Sequence, residues 1–234
     1  MPVCKKSANK LDVYYSLDLL KQQEKQEAYW ATLDQREQSI ANRFKRPILT
    51  ERYVFAHGLL RENVAQYVEE SAAELEFSVT DRGKPFLTKY PELSFNMSHT
   101  ENAWALAVVQ TRCQLGVDIE YFKQRDSWAG LVKKCFAVEE ADYWLALNAE
   151  QQGRFFYQLW VRKEAFVKAV GQGITLGLDS CVFNPKAINQ FLRVPKNYAL
   201  AEDWEVYPLN LADDLLAAVV CNQAKLSLNL IVVT

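Results

Sequence analysis

From Phe156 to Val170 no Gly or Pro interrupts the chain, and Gly171 follows at once. That pattern predicts a long helix that stops at a glycine cap. Upstream, in GVDIE, Asp118 and Glu120 stand two apart with apolar Val117 and Ile119 between them, which predicts a strand ending near Tyr121. Period two turns both carboxylates to one face, with Cα atoms roughly 6 to 7 Å apart, so hard oxygen ligands converge as magnesium prefers. Along the helix, Trp160, Glu164 and Lys168 are spaced i, i+4, i+8 and share one face. Glu164 is then a candidate third carboxylate for the ion, and Lys168 a cation for a phosphate oxygen on the same ion. Each piece alone has an ordinary reading, a solvated strand end or a surface Glu–Lys pair, and the argument rests on the combination.

The 234 residues, half of them hydrophobic, suffice for a substantial core in one large domain or two small ones. A formal charge of -2 with mixed signs along the chain gives no footprint for nucleic acid or a membrane surface. The five cysteines (Cys4, Cys113, Cys135, Cys181 and Cys221) are scattered, without C-x-x-C spacing, and are expected to be reduced thiols. The amino terminus has no apolar leader core, and no apolar run approaches the roughly 20 residues that span a bilayer, so the expected setting is the cytoplasm.

Strand-like alternation covers 12–17. Helical patterns follow through 27–42, with Trp30, Leu33 and Ile40 as apolar stripe, and across 50–68. His57 falls among Phe55, Ala56, Leu59 and Leu60, which fits a partly buried, hydrogen-bonded imidazole without a functional role. Residues 75–87 read as a strand pair, or as a strand and turn, around Asp81-Arg82-Gly83-Lys84-Pro85. Two apolar strands, 93–97 and 104–109, are expected on either side of a turn at Ser98-His99-Thr100-Glu101-Asn102. Helices are expected at 128–136, 138–147 and 151–170, and a closing antiparallel sheet from 204–209, 215–221 and 226–233. The recurring order of helices and then antiparallel strands predicts an α+β fold. It would be a pseudo-twofold duplication of similar subdomains, 1–110 and 111–234, with the active site at their seam. RGKP, FNMSH and the 156–170 helix all carry groups that donate to phosphate oxygens.

FNMSH, GVDIE and WVRKEAFVKAVGQGI, in this order and preceded by RGKP, resemble the signatures of the Sfp-type 4'-phosphopantetheinyl transferases, in the longer, pseudodimeric branch. The resemblance implies a monomer that moves the phosphopantetheine arm of coenzyme A onto a serine of an apo acyl or peptidyl carrier protein, releasing 3',5'-ADP, with magnesium as cofactor. It implies that Asp118, Glu120 and Glu164 bind the ion, that Glu164 is also the candidate base, and that Lys168 steadies the pyrophosphate. Lys84, with Arg82 and Pro85 of the same turn and with Ser98 and His99, would contact the nucleotide, and Arg46 and Arg52 would add phosphate-binding cations. Carrier proteins of this kind are acidic, so 121–136, where Lys123, Arg125, Lys133 and Lys134 mix with Phe122, Trp128, Leu131 and Val132, is the expected docking segment. The competing readings are a magnesium-dependent phosphohydrolase and a non-catalytic coenzyme A-binding module.

Overall fold

The computed structural model describes residues 9–233, so Cys4 and the polar amino terminus lie outside the described residues. In chain order come β1 (Lys10–Ser16), α1 (Gln26–Thr32), α2 (Gln35–Ala41), α3 (Pro47–Val64), β2 (Phe77–Val79) and β3 (Pro85–Leu87). Next are β4 (Ser94–Thr100), β5 (Ala103–Val109), β6 (Leu115–Tyr121), α4 (Ala129–Cys135), α5 (Val138–Ala146) and α6 (Ala149–Val170). The chain ends with β7 (Val182–Asn184), β8 (Ala187–Arg193), β9 (Glu205–Ala212), β10 (Leu215–Cys221) and β11 (Ser227–Val232). Helices and largely antiparallel strands make this an α+β protein. Among the described residues no helix is long and apolar enough to cross a membrane. The chain divides into two compact units: 9–79, 85–112 and 227–233 form one, and 80–84 with 113–226 form the other.

In the first unit the sheet runs β11-β1-β5-β4, antiparallel except where β11 lies parallel to β1. The sheet core, Tyr14, Phe95, Trp104, Leu106 and Val108, joins the buried side of α3 at Val54, Phe55, Leu60 and Val64. The helical pattern across 27–42 breaks in two because Asp34 caps α2, accepting from Glu37 N while the Glu37 carboxylate accepts from Asp34 N. His57 is satisfied as expected, its Nδ1 2.9 Å from Glu37 Oε1 and its ring stacked on Tyr53.

Two expectations change here. Ser98 and His99 belong to β4, opposite Ala105 and Trp104, and not to a turn; the chain reverses at Glu101 and Asn102. Polar residues mimic a turn signal, but ladder pairing carries them on as an edge strand. The carboxyl-terminal strand does not close a sheet with β9 and β10. It pairs with β1, because period two marks a strand without naming its partner.

In the second unit β6, β10 and β9 form an antiparallel sheet, and α6 packs across β6 and β10. Phe156, Leu159, Phe166 and Val167 of α6 sit in a core with Trp204, Leu216 and Val220. Burial of each large side chain contributes about 1.5–3 kcal/mol. The β7–β8 hairpin, which no pattern announced, covers this core with Phe183 and Phe191. Inside lies an ion pair: Lys163 Nζ is 2.7 Å from Glu140 Oε2, both side chains fully buried. Its valences are filled, since Lys163 also donates to the carbonyls of Leu178 and Cys181, and Glu140 accepts from the backbone N–H of Ala137 and Phe183. A buried pair adds little net stability when intact, but removing one partner strands a charge. Glu140→Gln is therefore expected to lower stability by about 3 kcal/mol, a fall in Tm of roughly 6–12 °C. Lys89→Ala, which removes an exposed partner of Glu70, should change stability by less than about 1 kcal/mol; thermal melts of both variants check the contrast.

Candidate active site

Gly116, Asp118 and Glu120 share one face of β6 by strand period. That face meets α6 almost backbone to backbone. A Cβ built on Gly116 would lie 2.0 Å from the Ala165 carbonyl oxygen and 2.5 Å from the Ala169 nitrogen, so only glycine permits the approach. One strand step further, this closeness brings Asp118, 4% exposed, to Lys168, whose Nζ donates to Oδ1 at 2.6 Å. Between Leu159 and Ala169 the side chains of α6 are buried except at Trp160, Glu164 and Lys168. The i, i+4, i+8 lane expected from the sequence is thus the open lane of an otherwise enclosed helix. Gly171, at φ 70°, stops the helix as a left-handed cap.

Glu164 lies between these charges. Its Oε1 is buried and accepts no hydrogen bond. Burial, reinforced by Asp118 and to a lesser degree Glu120 and opposed by Lys168, pushes its carboxyl up to about 7. The group therefore exchanges a proton near neutrality, and the surplus of buried negative charge favours a cation.

Lys84 takes a position the sequence did not suggest. Its ammonium donates to the Leu115 carbonyl at 2.9 Å and the Ala169 carbonyl at 2.8 Å. It thereby ties the first residue of β6 to the last turn of α6, where helix carbonyls lack partners. Burial lowers its pKa to about 8. An ammonium has three N–H groups, so one remains for a further acceptor. Neighbouring Arg82 is exposed.

The other expected contacts lie in the first unit. Ser98 is buried and His99 exposed in β4, and Pro85 opens β3. Arg52 Nη2 donates to Asn102 Oδ1 at 3.1 Å, and Arg46 is exposed just before α3. In the expected docking segment, Trp128 and Val132 are spent in the core, while Lys123, Arg125, Lys133 and Lys134 face outward. Sequence reasoning missed the buried Lys163–Glu140 pair beside Glu164. Its available signal was Lys163 standing in the apolar row of Leu159 and Phe166.

The family model for the 4'-phosphopantetheinyl transferase superfamily matches residues 114–220, and that for the 4'-phosphopantetheinyl transferase N-terminal region matches 21–111. The chain belongs to the Sfp-type 4'-phosphopantetheinyl transferases. It is 36% identical over 147 residues to the 4'-phosphopantetheinyl transferase HetI of Nostoc sp., covering 62% of this chain and 62% of that protein. Against a 4'-phosphopantetheinyl transferase of Bacillus subtilis it is 34% identical over 122 residues, 52% of this chain and 53% of the relative. Against the 4'-phosphopantetheinyl transferase Sfp of Bacillus subtilis strain 168 it is 28% identical over 158 residues, 68% and 69% of the two chains. The first two matches thus span less than two thirds of those relatives.

For a chain of this family the donor set is the relevant test of a magnesium site. Asp118 and Glu164 offer hard oxygens, and the buried Glu164 Oε1 with no hydrogen-bond donor suits a cation. Among the described residues no three Asp, Glu, His or Cys side chains are gathered closely enough to hold an ion, and Lys168 engages Asp118 Oδ1. The residues fit a divalent ion in chemistry, with Lys168 as the charge already present. Because every distance in the site descends from the β6–α6 contact, Gly116→Ala is expected to cost about 1–3 kcal/mol from overpacking. A thermal melt of the variant against the wild type reads that loss.

Proposed function

We propose that this protein transfers the 4'-phosphopantetheine arm of coenzyme A to a serine hydroxyl of an apo acyl or peptidyl carrier protein, releasing 3',5'-ADP. The observation that carries this reading is the juxtaposition on β6 and α6 of Asp118, Lys168 and a Glu164 poised near neutral pH. It occurs in a chain matched along both halves by phosphopantetheinyl transferase models.

In the reaction the serine oxygen bonds to the phosphorus that bears the pantetheine arm. The bond from that phosphorus to the bridging oxygen breaks, and 3',5'-ADP leaves with the electron pair. Glu164, whose buried Oε1 accepts no hydrogen bond, is assigned as the acceptor of the serine proton. Lys168 supplies positive charge for pyrophosphate oxygens as negative charge grows on them. A magnesium ion held by Asp118, Glu120 and Glu164 would neutralise further pyrophosphate charge. Lys84, through its remaining N–H, is assigned to the nucleotide end together with Arg82, Pro85, Ser98 and His99, and Arg46 and Arg52 are assigned to phosphates. These assignments rest on the family's motifs.

For the carrier protein we assign the outward Lys133 and Lys134 of α4 with Val138 and Leu145, which are 73% and 66% exposed on α5. Exposed apolar and cationic side chains of this kind suit an acidic partner. A monomeric enzyme working in the cytoplasm completes the proposal, in keeping with the buried thiols of Cys135, Cys181 and Cys221.

The deciding experiment is intact-mass spectrometry of an apo carrier protein incubated with this protein, coenzyme A and magnesium. A gain of one phosphopantetheine supports the proposal. Cleaved coenzyme A with unmodified carrier points to a hydrolase, and bound but unconsumed coenzyme A points to a binding module. Glu164→Gln is expected to lower the transfer rate at least about a hundredfold while the fold is kept; wild-type rates in that variant would remove Glu164 from the chemistry. Lys84→Ala should raise KM for coenzyme A more than it lowers kcat, as steady-state rates across coenzyme A concentrations would report. It should also lower Tm, because the Leu115 and Ala169 carbonyls lose a donor.

A further inference from the structure

A second lane of polar side chains runs along α6. Arg154, Gln158 and Arg162 follow one another at i, i+4, i+8, turned on average roughly 100° about the axis from Glu164 and Lys168 at about 100° per residue. They pass from exposed through half-buried to buried, Arg162 being 5% exposed. The three line one wall of a groove of about 370 Å3 whose opposite wall is the end of the β9–β10 hairpin.

Arg162 is the unusual member. A guanidinium carries five N–H groups. Nε and Nη2 donate to Asn189 Oδ1 at 3.2 and 2.8 Å, and Nη1 donates to the Gln158 carbonyl at 2.7 Å. One N–H on each terminal nitrogen is left over. Among the described residues no carboxylate forms an ion pair with it. Burial lowers its pKa to about 10, and no acidic neighbour offsets the effect. A buried cation without an anion is costly to keep, and a purely structural tie to Asn189 needs no charge. At the mouth, Arg154 Nη1 donates to the Asp213 carbonyl at 3.2 Å, and the Asp213 carboxylate pairs with neither arginine.

The far wall is also specialised. Leu215 faces Ala212, but Leu216 faces Asn210, so the register skips Leu211 beside the groove. Bulges of this kind are over-represented next to functional sites, where they re-aim a strand. Two arginines and one amide therefore converge on a space larger than a single oxyanion.

We propose that this groove binds the oxyanion head, phosphate or carboxylate, of a small organic molecule, with Arg162 and Arg154 as its cationic contacts and Gln158 as an amide donor. Arginine suits both heads because its planar fork donates in pairs. The site is separate from the Glu164 lane and independent of the reaction proposed above.

Crystals grown without sulfate or phosphate and soaked in tungstate locate the site directly, and calorimetric titration with inorganic phosphate and with citrate measures it on wild type and on Arg154→Gln. Arg154 is exposed, so this variant keeps the fold; Arg162→Gln serves as a second variant if its melt is normal. The expected result is an anomalous peak within hydrogen-bond reach of Arg154 or Arg162 and at least fivefold weaker binding of one probe in Arg154→Gln. Loss confined to phosphate or to citrate identifies the head. Tungstate only at other positions, or titrations unaltered by Arg154→Gln, overturns the proposal.

Discussion

The contact of Gly116 with the backbone of α6 is the constraint on which the rest of the site depends. A strand and a helix normally meet through side chains, which hold their axes about 10 Å apart. Here the strand surrenders its side chain at one residue, and the Ala165 carbonyl and Ala169 nitrogen occupy the space. Two residues along, Asp118 then meets Lys168 directly, and one turn back along the helix Glu164 falls under the field of both. A larger separation would leave three surface charges in water, each with ordinary proton affinity and little mutual influence.

The contact is held by lysines in two different roles. Lys84 fastens the start of β6 to the end of α6 by donating to two carbonyls, and Lys163 anchors the middle of α6 to Glu140 and to the segment leading into β7. Both spend their charge on backbone or on a buried partner. Lys168, on the open lane, pairs with Asp118 and keeps an exposed fraction of 29%. Adjacent residues in KEA thus divide the work: Lys163 turns inward and fixes the helix, and Glu164 turns to the open lane with its proton affinity raised by burial. A helix rigid on its buried sides holds such groups more tightly than a loop does, which keeps the reorganisation needed for charge stabilisation small.

Much of the fold was legible because its elements are long and strongly patterned. The 3.6-residue repeat marked α3 and α6, alternation marked β1 and β6, continuous apolar runs marked β5 and β10, and the Gly83–Pro85 punctuation marked the β2–β3 hairpin. What failed was pairing and local punctuation. The polar Ser98-His99 run imitates a turn, yet seven paired residues with β5 hold it in a strand. The last strand has no pattern that distinguishes β10 from β1 as neighbour. The amphipathic look of 121–136 told which residues were apolar, but Trp128 and Val132 proved to serve the core.

By itself the sequence determined which groups are available and on which faces: Asp118 with Glu120 by strand period, Glu164 with Lys168 by helical period, and the stop at Gly171. Those are local properties, fixed by backbone geometry within a few residues. Only the tertiary structure decided that β6 and α6 touch at Gly116, that Lys84 caps carbonyls, that Lys163 finds Glu140, and that Arg162 is buried without an acid. These depend on distances between residues far apart in the chain, and proton affinity follows burial and neighbouring charge, which no local pattern encodes.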